Sequence, residues 1–153
     1  MSPTPSTRRL ILEAFRDRVL VIAQVSGYHT DAGRQVFVGE IPGLGPDDPP
    51  DAIAIVGQPD EWKLQGKAYF VNWPITIMAV TRADRDAAYL ALEDILADIT
   101  RAVELDDIDL GGLVIQQFVR MAPRQTLERE EGSLVVGVGI TYLCTFKEGW
   151  GLP

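Results

Sequence analysis

Residues 134–146, LVVGVGITYLCTF, alternate strictly. Leu134, Val136, Val138, Ile140, Tyr142, Cys144 and Phe146 occupy one set of positions, while Val135, Gly137, Gly139, Thr141, Leu143 and Thr145 occupy the other. Successive side chains on a strand point to opposite faces, so the spacing predicts a long strand with one apolar face. At ~3.4 Å per residue it spans on the order of 40 Å, well beyond an ordinary strand. Gly137 and Gly139 fall on the outer face, where missing side chains admit another backbone or helix. That thin face suits lateral assembly, and on that basis Gly139→Trp is expected to leave the fold largely intact while blocking assembly.

A second period governs the N-terminal region. Ile11, Phe15, Val19 and Ile22 recur at helical spacing, which predicts a helix over Thr7–Val25. Ser6 or Thr7 can cap it, and Gly27 ends it. A turn at 28–33 leads into a strand over Gln35–Glu40. The following IPGLGPDDPPD is too rich in proline and glycine for helix or central strand, and a loop of this length is usually functional or mobile. Ala52–Val56 reads as a short strand and Gly57–Gly66 as loop. Tyr69–Val80 is a second long strand, with Tyr69, Val71, Trp73, Ile75, Ile77 and Ala79 on one face. Pro74 cannot donate to a ladder, so this strand is expected at an edge or locally bulged. From Thr81 to Asp84 a hydroxyl cap with an acid three residues on starts a helix. Its apolar stripe is Ala88, Leu92, Ile95, Leu96, Ile99 and Val103. Leu113–Ala122 is a third strand, Pro123–Ser133 a charged hairpin connection, and Lys147–Pro153 a glycine-rich tail. The fold class is therefore α+β, a mixed or antiparallel sheet with two long amphipathic helices of about five turns on one face. Residues 1–153 form one domain, with a flexible lead at 1–6 and a flexible tail at 147–153.

Charge narrows the function. The net charge is −8, and residues 81–109 hold nine acids against three arginines. Residues 40–61 hold six acids and no base. A nucleic-acid binder needs a basic stripe to neutralise phosphates, and none is visible. Acidic surface suits DNA passing by better than DNA held. No apolar run approaches the ~20 residues that cross a bilayer, and the N-terminus lacks the order of a secretory signal. One cysteine excludes an internal disulfide.

Candidate chemistry is sparse. His29 and Cys144 are each the only residue of their kind. Cys144 lies mid-strand on the apolar face, where cysteine acts as a small hydrophobe, and His29 lies in a polar turn. The acidic run from Asp106 to Gly112 resembles a calcium loop, but counting from Asp107 puts Gly111 at the fifth position and Phe118 at the twelfth, and the pattern fails. Gly137-Val138-Gly139 lies inside a strand, and Gly43-Leu44-Gly45 precedes prolines, so neither is a phosphate loop. No carboxylate pair stands out as catalytic, and the residues imply no metal and no cofactor. Trp73 belongs to the core. Trp62 and Trp150 occupy loop and tail positions, where a large aromatic either finds a partner surface or packs back on its own domain. Arg120, Arg124 and Arg129 either pair with acids of a neighbouring copy or locally with Glu128, Glu130 and Glu131.

The ordered set of RRLILEAFRDRVLVI, GYHTDAGRQVFVGE, a proline-rich loop, a long strand ending in TRADRDAAYLALEDILADI, and GSLVVGVGITYLCTF resembles the tail terminator (tail completion, or minor tail) proteins of long-tailed bacteriophages. The resemblance implies a small α+β virion structural protein that forms a homo-oligomeric, hexameric ring. Such a ring caps the tail tube, stops its polymerisation and offers a surface for head–tail joining. Implied partners are the tail tube protein and the head–tail connector or neck protein, with DNA passing through unbound. No membrane and no enzymatic activity are implied, and the location is the virion tail or neck, assembled in the host cytoplasm. By the same resemblance, the hairpin Arg120–Ser133 and the loop Gly39–Asp51 are expected to make ring and tube contacts. Together with the residue-level reading, the candidate interface residues are Arg120, Arg124, Arg129, Gly137, Gly139, Trp62 and Trp150. A head–tail neck component and, from another class, a small-molecule-binding or enzymatic α+β domain are the alternatives.

Overall fold

The computed structural model describes residues 3–40, 44–82, 85–105, 107–127 and 135–151, the side chains of residues 85, 86, 122 and 127 aside. Its elements in chain order are α1 (Thr7–Val19), two short 3-10 turns, β1 (Val36–Val38), β2 (Asp51–Gly57), β3 (Glu61–Gln65), β4 (Ala68–Arg82), α2 (Arg85–Glu104), β5 (Val119–Leu127) and β6 (Val135–Gly149). One mixed six-stranded sheet runs β1-β2-β4-β6-β5, with β3 pairing on β4 as well. Only β1 and β2 are parallel; the other pairings are antiparallel. The α+β class with helices on one face is as expected.

The alternation in β6 puts Ile140, Tyr142, Cys144 and Phe146 opposite Ile77, Ile75, Trp73 and Val71 of β4. These form one core with Ile11, Phe15 and Val19 of α1 and Leu92, Ile95, Leu96, Ile99 and Val103 of α2. Phe15 stacks on Tyr142 at 5.9 Å, and Phe118 meets both rings edge-on at 5.6 and 5.5 Å. Fully burying side chains of this size contributes roughly 1.5–3 kcal/mol each, so this layer dominates the stability. On the opposite face a smaller cluster, Leu44, Ala52, Ala54, Met78 and Val80, is covered by the proline-rich loop. That loop is tied down: Arg82 donates its backbone N–H to the Pro50 carbonyl at 2.8 Å, and Gly39 donates to Ile55 at 2.7 Å.

Several boundaries differ from expectation. The first helix ends at Val19, and Gly27 adopts φ 87° after the separate 3-10 turn Gln24–Ser26. It makes under four turns, whereas α2 exceeds five. Ser6 is its cap, its hydroxyl accepting from the Arg9 N–H at 3.2 Å. Thr81 belongs to β4, one residue before its end, and its hydroxyl donates to Asp51 at 2.7 Å, while residues 83 and 84 lie outside the described residues. The third strand begins at Val119 and runs through Pro123, with a register shift between Met121 and Gln125. Residues 113–118 are turn, bend and irregular chain instead. The final strand continues through Lys147 and Glu148 to Gly149, so the tail starts later than expected.

Pro74 is a correction with a clear cause. Its strand lies in the middle of the sheet, not at an edge. On the side away from β6, however, β2 pairs as far as Ile75 and β3 begins at Asn72, so Pro74 sits where one partner strand gives way to the other. There its carbonyl accepts from Gln58 N–H at 2.9 Å, and no ladder partner requires the amide hydrogen that proline lacks.

Candidate interaction surfaces

The segment expected as loop between Gly57 and Gly66 contains β3. Trp62 and Leu64 alternate, and Gly66-Lys67 forms the two-residue turn into β4, with Gln65 opposite Ala68 and Gly66 at φ 63°. This was legible as an alternating pair followed by a glycine turn. The hairpin extends the sheet beyond the helices. At the end of the covered region stands Arg8, which binds Asp60 at 2.5 Å and Glu148 at 2.7 Å. Its guanidinium also lies 5.3 Å from the Trp73 ring centre and 5.4 Å from that of Phe146. Burial works against the Arg8 charge, but the hydrogen bonds to Asp60 and Glu148 outweigh it and raise its pKa above the ordinary value. Beyond Arg8, Trp62 meets Tyr69 edge-on at 5.1 Å and Trp150 stacks on Tyr69 at 5.7 Å. Trp150 also donates its backbone N–H to the Lys67 carbonyl at 2.9 Å. Both tryptophans thus contact their own chain, yet they remain 62% and 64% exposed. Two indoles this open, each packed on Tyr69, leave apolar area without a cover.

The arginines behave differently. Arg120 forms an ion pair with Glu104 at 2.5 Å and Arg124 with Glu93 at 2.8 Å, both acids belonging to α2. Both arginines thus have partners on α2, and the hairpin acids Glu128, Glu130 and Glu131 lie outside the described residues. Arg129 lies outside the described residues. The Tyr142 hydroxyl donates to the same Glu104 at 2.9 Å, and burial first, then that acceptor, raise the phenol's pKa above its ordinary range.

The outer face at Gly139 of β6 is also filled from within. Gly137 and Gly139 are buried. A Cβ at Gly139 would collide with Met78 Sδ and come within 2.9 Å of Thr76 Cγ2. The space a neighbour was expected to use is filled by β4's own side chains. Gly139→Trp is accordingly a packing lesion, not a clean interface probe.

Cys144 is fully buried, and burial pushes its thiol up to about 12. A thiol so placed is protonated and inert. His29 is exposed, and its backbone N–H donates to Asp98 at 2.9 Å. Asp98 is a residue that patterning did not single out. It is 1% exposed and also accepts from Thr30 N and Thr30 Oγ1, both at 2.8 Å, so it pins the 28–31 turn to α2. Among the described residues, no three of His, Cys, Asp and Glu gather to hold a metal ion, and no helix is long and apolar enough to cross a membrane.

No family model matches this chain, and no curated protein matches it. Its function is argued from the surfaces themselves.

Another exposed apolar surface is on α2. Tyr89 and Leu90, both 72% exposed, lie off the buried stripe beside the exposed Glu93 and Asp94. Two large apolar residues outside a complete helical stripe were the signal that sequence reading passed over. The acids at the far end of this helix have a local answer. Arg18 donates to the Val103 carbonyl at 2.6 Å and to the Asp107 carbonyl at 2.6 Å. A cation there satisfies free carbonyls at the helix C-terminus, the end that favours positive charge.

Proposed function

We propose that this chain is a structural assembly protein of a long-tailed bacteriophage. It forms a ring that caps the tail tube, stops its growth and presents a surface to the head. The observation that carries this reading is the bare aromatic end of β3, β4 and β6. Exposed indoles anchored on a stiff sheet are what an assembly contact uses, because a rigid aromatic buries much area at little entropic cost. The ordered run of helix, strand, tied loop, long strand with helix, and closing strand supports the kinship to tail terminators. The ring is a homo-oligomer, a hexamer by that kinship, contacting the tube protein on one side and the connector on the other. The acidic surface suits a lumen through which DNA slides. No catalytic or cofactor role is assigned.

Electron microscopy of particles made with the gene disrupted tests this. Overlong or irregular tubes lacking heads are the expected result. Normal-length tails that fail to join heads would place the chain in the neck instead. Normal infectious particles would overturn the structural role.

A further inference from the structure

We infer that the outer edge of β5 is guarded: the register shift and the proline in its middle keep a strand of another copy from adding to the sheet. The guard does not depend on the tail-capping reading. It fixes how copies of this chain are kept from joining, whatever they assemble on.

The strand order ends at β5, so one side of this strand has no ladder partner, and its described side chains are all exposed. Open backbone N–H and C=O groups on such an edge template a further strand. The neighbouring β6 is fifteen residues long and paired to β4 along its whole length, which holds the edge in place. Val119 and Met121 add apolar side chains there, 48% and 39% exposed. A stiff, apolar edge of this kind is a hazard unless something interrupts it.

The interruption lies in the register. Val119 to Met121 pair residue for residue with Leu143 to Thr141, and Gln125 to Leu127 pair with Gly139 to Gly137. Between those runs, residues 122–124 stand against Ile140 alone. Extra residues on one strand bend it and leave the ladder locally unpaired. Pro123 sits in the middle of them, exposed and with no N–H to give. A straight strand laid outside β5 could match three residues on either side and none across the break, short of the ~5–6 of an ordinary strand. The bend is also fastened. Arg120 on one side of it and Arg124 within it are both ion-paired to α2, through Glu104 and Glu93. Other edge strands are limited in their own ways. β1 has three residues and ends at Gly39, with φ 94°, while the five residues of β3 include Glu61 and Lys63, charges that oppose strand addition. Where β6 runs past β5, Ile115 N–H occupies the Thr145 carbonyl at 2.9 Å.

Deleting Ala122 and Pro123 from the full-length chain removes the break. Arg124 then stands opposite Ile140, on the side where Glu93 lies, and the two halves of β5 join into one uninterrupted run. By sedimentation, this variant should associate at concentrations at least tenfold below those at which the parent does. In the associated form the β5 amides should exchange their hydrogens more slowly, the mark of strand addition at that edge. Pro123→Val, which restores the amide alone, should move both readings the same way by less. If the deletion no longer melts cooperatively, Pro123→Val decides by the same two readings. A folded variant that sediments like the parent overturns the guard. So does association in which the β5 amides stay open to exchange. Either failure leaves the tail-capping reading to the tail-length measurement, and normal particles in that measurement leave the guard standing.

Discussion

The sheet is covered over its middle and bare at one end, although β4 and β6 run unbroken through both. In the covered part, the face bearing Ile75, Ile77, Ile140 and Tyr142 lies under α1 and α2 and is essentially dry. Past Arg8 the same face carries Tyr69, Glu148 and Trp150, with Trp62 alongside, and stays open. The side-chain period is identical in the two regions. What differs is whether a helix lies above. A continuous ladder can therefore serve as scaffold at one point and as a contact surface a few residues on, and the backbone pairing carries rigidity from one to the other.

The contrast breaks most severely at Ile140, which faces the helices. Ile140→Asp forces an unpaired charge into the core and should cost more than about 4 kcal/mol, read as loss of cooperative unfolding. Asp98→Ala comes next. It strands the donors of His29 and Thr30 beneath α2, and a loss of about 3 kcal/mol is expected in urea denaturation. Gly139→Trp tests the opposite face; overpacking against Met78 and Thr76 should destabilise the monomer by about 2–3 kcal/mol. A melting temperature unchanged in that variant would show the outer face to be looser than described.

Alkali gives a gentler probe of the covered half. The Cys144 thiol ordinarily ionises near 9.0 and is held up to about 12 in the fold. Its folded value is raised, so the stability it carries is complete below pH 9 and is lost as the pH climbs towards 12. The Tyr142 phenol shifts in the same direction and adds to the loss. Thermal melts should therefore fall across that window, and Cys144→Ala should flatten part of the slope. At the bare end, Trp62→Ala should shift stability by less than about 0.5 kcal/mol, because the indole is mostly exposed already. A substitution silent in melting yet damaging to association would separate the two regions most sharply.

Much of this architecture was legible before any coordinates. The face of β6, the face of β4 and the stripe of α2 follow from periods of two and 3.6, since those periods report which side chains share a face whatever the fold. The burial of Cys144 followed from its place in the alternation. Ser6 as a cap and Gly27 in a left-handed conformation are equally local, each depending on a few neighbouring residues.

What only the tertiary structure decided depends on distance across the chain. Pro74 tolerates a central strand because β2 gives way to β3 at its level, a matter of three strands meeting. Gly33 is needed because a Cβ there would stand 2.6 Å from the Ile22 carbonyl, a backbone approach that no local period encodes. Arg120 and Arg124 found Glu104 and Glu93 because β5 runs beside α2, whereas sequence proximity suggested the hairpin acids. Asp98 became a buried anchor because the 28–31 turn folds onto α2 from nearly 70 residues away. Local torsional preference and side-chain period determine which face is apolar. Which apolar face is covered is settled by where the helices end, and that is a property of the whole packing.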